Sequence, residues 1–387
     1  MPTYKLETEV RQYLETLVST KPENKEDIRR ILLSRKIENL ISNRSELKSL
    51  EYRAIHLMKK VDYSNINPSI IICSPSDKPI WNWYRHILSS APWIGRPGRA
   101  NFLFMVDLNS KGILGIIDIG SDLQGLGPRD KRIGWTHSRK FSGGLNHLLN
   151  VGTCVCVHPF GQLTGGKFGI ISTTSDYISD LCFMRYGEKL AGVTTTSLYG
   201  KSSMYNRIKE FEYLGDTPGL GIFHLDHQGF ILLKTFLKVN NLISRSIGNG
   251  GNFQNKNDVI NKVCAVLKLE RDRFSSHQPR GVYFAILGQD AIEYLKGSIP
   301  DFTPDRRSIQ DISDWWKDRW YSMRYPKIQD EVSHFDFRSY EVDNQIDMIR
   351  ESLRGIGEID NADQSNDQTG GASPTIPLLA DASSRPA

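Results

Sequence analysis

The chain has 387 residues and a net charge of +5, and 39% of its residues are hydrophobic against 24% charged. This composition supplies enough apolar side chains for a folded core and excludes a wholly disordered chain. No apolar run reaches the ~18 residues of a membrane span, and the charged N-terminus lacks the apolar segment of a secretion signal. With only five scattered cysteines, we expect a cytoplasmic protein without a membrane contact.

The charge is unevenly distributed along the chain. Residues 356–387 hold five acidic residues and one basic residue, which leaves +9 on the remainder. A basic body with an acidic tail suits an anionic partner such as nucleic acid. The same excess is common in ordinary enzymes, so charge alone leaves the partner open.

The first half of the chain is predicted to contain helices and then a β-hairpin. Apolar residues recur at helical spacing over residues 4–60, and Asn24 followed by Asp27 favours the start of a new helix. A connector rich in proline and tryptophan covers residues 68–97. Two apolar runs separated by the turn-forming residues 109–112 then predict the hairpin.

The second half alternates strands and helices. We predict strands at residues 153–157, 190–196 and 281–287 and helices at residues 170–186, 205–213, 231–243, 259–269 and 308–325. This order predicts an α+β fold with a mixed β-sheet core flanked by helices. The predicted organisation is a helical N-terminal region (1–65), a core (66–245), an α/β C-terminal extension (246–355) and a disordered acidic tail (356–387).

A glycine-rich loop follows the first of these strands. A helix start with glycines offers backbone N–H groups and a positive dipole end, which suits a phosphate. The predicted cofactor-binding residues are Gln162, Thr164, Gly165, Gly166 and Lys167. The loop matches neither a Walker nor a dinucleotide-binding motif, and a simple tight turn has the same composition.

A polar loop follows the next strand, where the sites of α/β folds gather. Its hydroxyl groups suit proton transfer, and the histidine at the end of the preceding strand suits a general base. The predicted catalytic residues are Tyr199, Ser202, Ser203, Tyr205, Asn206 and His158. A capped surface helix with exposed charges is the alternative.

Basic residues interleaved with a tryptophan suit a phosphate backbone or an unstacked base. The predicted nucleic-acid contacts are Arg129, Lys131, Arg132, Trp135, Arg139, Lys140, Lys201 and Arg207. Segment 306–327 is also basic and aromatic, but acidic residues dilute its charge. His224 and His227 lack a third ligand at metal spacing, so no metal is expected.

A set of short motifs is specific in its order and spacing. Its members are Arg129-Asp130, Ile133-Gly134-Trp135, Leu145-Asn146-His147, the strand ending at Val157, Tyr186-Gly187 and residues 214–221. Through these motifs the chain resembles the DruA-type domain of Druantia anti-phage systems, and the resemblance covers roughly residues 95–225.

The DruA-type domain is in turn similar to the phage Mom protein, which modifies adenine in DNA, and to the GNAT acyltransferase fold. The resemblance implies a GNAT-like core in which a loop of the form [QR]-x-x-G-x-[GA] binds the pyrophosphate of an acyl-coenzyme A. Gln162, Gly165 and Gly166 fit that pattern, and Lys167 replaces its last small residue.

Two functions follow from the resemblance. The first is a GNAT-like transferase that modifies a DNA base, moving an acyl or carbamoyl-type group to an exocyclic amine, with acetyl-coenzyme A or another acyl-coenzyme A as donor. The second is a non-catalytic DNA-binding component of an anti-phage defence system. Both imply DNA as a partner, together with other defence-system or phage proteins.

Overall fold

The computed structural model describes residues 2–91, 98–219, 221–242 and 253–363. Its first three helices are α1 (Pro2–Ser19), α2 (Lys25–Ser42) and α3 (Arg44–Lys59). They confirm the helical prediction for residues 4–60. Asn24 and Asp27 form a reciprocal capping box at the start of α2, which satisfies backbone N–H groups that a helix start leaves unpaired.

A seven-stranded mixed sheet forms the centre of the fold. Its strands are β1 (Pro68–Ile72), β2 (Ala100–Asp107), β3 (Ile113–Ser121), β4 (Leu148–Cys156), β5 (Gly192–Ser197), β6 (Glu212–Asp216) and β7 (Gly281–Ile286). Their spatial order is β1-β2-β3-β4-β5-β7-β6. The α+β prediction is therefore confirmed, and β2 with β3 is the predicted hairpin.

The central strands β4 and β5 are parallel, whereas the other neighbouring strands of the sheet are antiparallel. The two strands pair only from Leu148 and Gly192 to Val151 and Thr195. Beyond that point β4 pairs with β3 and β5 pairs with β7. The carboxyl ends of β4 and β5 thus lie at one edge of the sheet and are not hydrogen-bonded to each other.

Helices cover both faces of the sheet. The remaining helices are α4 (Lys78–Leu88), α5 (Gly127–Ile133), α6 (His137–Phe141), α7 (His158–Gln162), α8 (Gly165–Ser172), α9 (Asp176–Tyr186), α10 (His227–Val239), α11 (Phe253–Leu267), α12 (Ala291–Lys296), α13 (Ile309–Trp316), α14 (Ser322–Ser333) and α15 (Val342–Asp363). Leu149 and Val151 of β4 share a core with Phe168 of α8 and Trp316 of α13. Helices α3, α4 and α15 pack with β2 and β3 in a second core.

Two predicted helices differ from the structure. The segment 205–213, predicted as a helix, begins at the last residue of a 3₁₀ turn (Ser203–Tyr205) and ends in the first residues of β6. Its end is a strand because Tyr213 pairs with Tyr283 of β7. The predicted helix 170–186 is divided into α8 and α9. Four hydroxyl side chains at the break donate back to carbonyls within the preceding turn and compete with continued helix: Ser172, Thr173, Thr174 and Ser175.

The connector predicted at residues 68–97 contains an edge strand, β1, and helix α4. β7 comes from the predicted C-terminal extension but lies between β5 and β6 in the central sheet. The predicted acidic tail overlaps the end of α15, and residues 364–387 lie outside the described part. Within the described ranges, every helix is too short or too polar to span a bilayer.

Candidate functional site

The two predicted site loops leave neighbouring strands at the same edge of the sheet. After β4 the chain forms α7 and then α8, which begins at Gly165. After β5 it forms a loop and the 3₁₀ turn Ser203–Tyr205. Because β4 and β5 are parallel, the chain segments that follow them meet in the space where the strands separate.

Lys167 joins the two loops. Its Nζ donates hydrogen bonds to the carbonyl oxygens of Ser203 (3.1 Å), Met204 (2.9 Å) and Asn206 (2.7 Å). A lysine ammonium has three N–H donors, so these carbonyls occupy all of them. Lys167 therefore fastens the 3₁₀ turn to α8, and it contributes its charge rather than a hydrogen bond to any anion bound nearby.

The start of α8 combines a left-handed residue with two glycines. Thr164 has a left-handed φ of +63°, and its carbonyl accepts a hydrogen bond from the Trp316 indole at 3.2 Å. A Cβ at Gly165 would overlap the Phe160 ring, whereas one at Gly166 would lie 3.5 Å from the Met204 methyl group. The side-chain oxygens Thr164 Oγ1 and Gln162 Oε1 are buried without a hydrogen-bond partner among the described residues.

Tyr205 is the most enclosed of the predicted catalytic residues. Its ring stacks on Tyr283 with centroids 4.0 Å apart, and its hydroxyl lies 3.4 Å from Thr195 Oγ1. Burial raises the pKa of Tyr205 above its ordinary value. The phenol therefore holds its proton at neutral pH, and it can donate a hydrogen bond but cannot act as a base.

The other predicted catalytic residues divide into two groups. Ser202 donates its backbone N–H to the Tyr283 hydroxyl at 2.7 Å, and half-buried Tyr199 lies in the same loop. Ser203 and Asn206 contribute the carbonyls bound by Lys167, as described above. His158 starts α7. Its backbone N–H donates a hydrogen bond to the Tyr340 hydroxyl, and its imidazole ring packs on Phe335.

The structure removes Arg129 from the predicted nucleic-acid contacts. Its side chain is completely buried and donates to Asp122 Oδ2 at 2.7 Å and to Asp130 Oδ1 at 2.9 Å. Asp122 also accepts a hydrogen bond from Thr194 Oγ1 at 2.6 Å. Arg129 is therefore part of an internal ion-pair network that connects α5 to β5.

Most other polar side chains of segment 128–140 also bind within the protein. Lys140 pairs with Asp130, and Arg132 pairs with Glu212. Trp135 and Arg139 both donate to the Leu295 carbonyl, at 2.7 and 3.1 Å. Lys131 is exposed. The segment thus fastens α5 and α6 to α12, and it does not form a row of unpaired cations.

The site also includes residues that sequence reasoning passed over. The π-helical turn Lys317–Tyr321 follows α13 and brings Trp320 to 5.6 Å from Lys167 Nζ. Arg319 and Arg324 are exposed in the same stretch. The available signal was the arginine and tryptophan content of segment 306–327, which its acidic residues obscured.

No metal centre is evident in this geometry. Among the residues whose side chains the structure describes, no three histidine, cysteine or acidic residues are grouped to hold an ion. His224 Nε2 lies 2.8 Å from the Leu17 carbonyl in a buried position. Cys154 and Cys156 pack against the core that contains Phe168.

The fold and site together define a mixed-sheet α+β protein with a glycine-rich helix start and clustered cations at the edge of its parallel strand pair. The chain belongs to the Druantia protein DruA family, whose match extends over residues 22–297. A Druantia protein DruA from Escherichia coli (strain UMEA 4076-1) is 28% identical over 370 residues, covering 84% of this chain and 89% of the relative. These findings confirm the resemblance to the Druantia anti-phage family.

Proposed function

We propose that this protein acts in anti-phage defence as a GNAT-like transferase that modifies a base of DNA. The observation that carries the proposal is the separation of the parallel strands β4 and β5 beyond Val151 and Thr195. A glycine-rich helix start follows one strand and a hydroxyl-rich turn follows the other, so a donor and an acceptor have adjacent places. The strand arrangement supports the GNAT-like fold that the resemblance implies.

The residues at the start of α8 fit the phosphate groups of an acyl-coenzyme A. The first N–H groups of a helix have no hydrogen-bond partner inside the helix. Thr164 Oγ1 is buried without a hydrogen-bond partner among the described residues. Gly165 and Gly166 keep this surface free of side chains. When bound, the donor would supply an acyl group as a thioester, which an amine attacks with loss of the thiol.

The chain's own side chains would position the acceptor and handle its proton. The Tyr205 hydroxyl keeps its proton and can donate a hydrogen bond to the departing sulfur. The exocyclic amine loses a proton as its new bond to carbon forms, and the sulfur takes up a proton as its bond to that carbon breaks, so the donor leaves as a thiol. The base must be flipped out of a duplex or belong to a single strand to reach these groups.

A non-catalytic DNA-binding component is the second candidate. The observation that favours it is the set of three carbonyl contacts made by Lys167 Nζ. These contacts hold the 3₁₀ turn against α8, with the Met204 methyl group close to Gly166. A donor could enter only if this turn moved.

Gly166→Asp paired with Gly166→Asn separates the two candidates. A side chain at this position has room beside Met204, and an acidic residue in the first turn suits the helix dipole. Under the transferase proposal, acetyl-coenzyme A raises the melting temperature of wild type and of Gly166→Asn more than that of Gly166→Asp. Mass spectrometry of nucleosides from expressing cells should also show a modified base that Gly166→Asp abolishes.

The opposite results would reject the transferase. If acetyl-coenzyme A stabilises none of the proteins and no altered nucleoside is found, the second candidate is favoured. If the donor stabilises wild type and Gly166→Asp equally, the donor site is not at the start of α8.

A further inference from the structure

Four cations from three separate segments lie close enough to interact electrostatically around Lys167, and two of them contact the indole of Trp320. Lys167 lies at the start of α8, Arg207 follows the 3₁₀ turn after β5, and Arg319 and Arg324 belong to the π-helical turn and α14. Lys167 Nζ lies 5.6 Å from the Trp320 ring centre, and Arg319 Cζ lies 5.4 Å from it. The fold thus assembles a basic surface that no single stretch of sequence contains.

The arginines of this surface are exposed and partly held in place. Arg207, Arg319 and Arg324 are all exposed. The Arg319 guanidinium also lies 5.7 Å from the Trp315 ring centre, and contacts with two indoles restrict its conformations. An arginine held in this way loses less entropy when it binds an anion than a freely moving one.

Two acidic residues nearby are already engaged with other cations. Asp314 pairs with Lys317 at 3.2 Å, and Glu210 pairs with Arg307 at 2.8 Å. In the described parts of the chain, no ion pair joins an acid to Arg207, Arg319 or Arg324. The positive charge of these three side chains is therefore not neutralised within the site.

The charges of the cluster act on one another. Burial, and after it the charges of Arg207, Arg324 and Arg319, lower the pKa of Lys167 to about 8. Placing like charges together costs free energy, and a bound anion offsets that cost. The cluster therefore indicates a polyanionic ligand.

We propose that Arg207, Arg319 and Arg324 form a surface that binds the phosphodiester backbone of single-stranded DNA. This inference rests on the proposed function insofar as that function makes DNA the partner. Three exposed arginines on separate elements can contact successive phosphates of a strand, whereas the donor phosphates are assigned to the backbone of α8. A strand held here lies beside the Ser203–Tyr205 turn, where the acceptor base was placed.

The test compares two charge-reversal pairs in the full-length protein. Arg319→Glu with Arg324→Glu changes the proposed surface. Arg350→Glu with Arg354→Glu makes the same change in charge at two exposed positions of α15. Binding of fluorescein-labelled oligothymidylate of about 20 nucleotides, longer than common single-strand site sizes, is followed by anisotropy at several salt concentrations, and circular dichroism verifies folding.

We expect the Arg319/Arg324 variant to bind on the order of tenfold more weakly, equally for oligonucleotides of different sequence. The slope of log K against log salt should fall by about 0.7 for each lost phosphate contact. The α15 control should keep the wild-type slope. Arg207→Gln tests the site by a single neutral change that leaves Arg319 and Arg324 intact, and the slope of log K against log salt should fall by the amount of one phosphate contact.

Four outcomes would overturn the proposal. Equal losses in the two charge-reversal variants would mean that only total charge matters. Loss of coenzyme A binding with unchanged DNA binding in the Arg319/Arg324 variant would assign the surface to the donor. If the wild-type protein binds no DNA, DNA is also removed from the proposed function. If DNA binding survives the Arg319/Arg324 charge reversal, only the proposed location of the DNA-binding surface is wrong.

Discussion

Replacing Arg129 tests whether the segment richest in predicted DNA contacts is structural. In Arg129→Met the new side chain has a similar length but no charge. Asp122, whose side chain is completely buried like that of Arg129, loses its 2.7 Å hydrogen bond from the guanidinium. Its carboxylate then keeps Thr194 Oγ1 as a partner, without a cation to balance the charge.

The expected loss of unfolding free energy is large because a buried charge is left uncompensated. Removing one partner of a buried ion pair costs about 3–5 kcal/mol. Replacing both partners with apolar residues removes the stranded charge, so Arg129→Met with Asp122→Leu should be more stable than Arg129→Met alone. Thr194 Oγ1 still accepts a hydrogen bond from Asn150 at 2.9 Å in the double variant.

Urea unfolding followed by tryptophan fluorescence measures these differences, with DNA binding measured where each variant is folded. The exposed neighbour Lys131 supplies the control, and Lys131→Met should change the unfolding free energy by less than about 0.5 kcal/mol. If Arg129→Met is as stable as that control and binds DNA more weakly, Arg129 is a surface contact and our assignment of an internal network is wrong.

Three further predictions concern single positions. Burial lowers the pKa of Lys36 from 10.5 to about 7. Between about pH 7 and pH 10.5 the unfolded chain therefore binds more protons than the folded one, so the free energy of unfolding should rise with pH. Urea unfolding of Lys36→Met should show a smaller rise. Gly165→Ala should destabilise the fold through overlap with Phe160 and lower the melting temperature, while Gly166→Ala should not. Lys167→Met should lower the free energy of unfolding by about 1–3 kcal/mol because hydrogen bonds are lost, and it should speed native-state proteolysis of the loop after β5. An unchanged cleavage rate would show that Lys167 does not fasten that loop.

Local patterns in the sequence predicted local structure well. The capping box of Asn24 and Asp27 and the hairpin of β2 and β3 involve residues close in the chain. Helical spacing in residues 4–60 likewise needs no distant partner to be recognised. These features are correct because the interactions that form them are contained in the segments that display them.

One error arose where distant residues decide the structure. Tyr205 and Tyr213 were assigned to one short helix, but both pack on Tyr283 of β7. That strand lies far along the chain, and nothing in residues 205–213 reveals its position. Pairing with β7 satisfies the backbone of β6 and outweighs the weak local preference for helix.

The same argument applies to the cations of segment 128–140. A count of charges along the chain treats every cation as available, yet Arg129 and Lys140 are neutralised by acids that the fold brings to them. In segment 306–327 acids likewise pair with Arg306, Arg307 and Lys317, whereas Arg319 and Arg324 stay exposed without an ion-pair partner among the described residues. Binding of an anion depends on which cations lack a counter-charge after folding, and that property follows from the tertiary structure and cannot be counted along the chain.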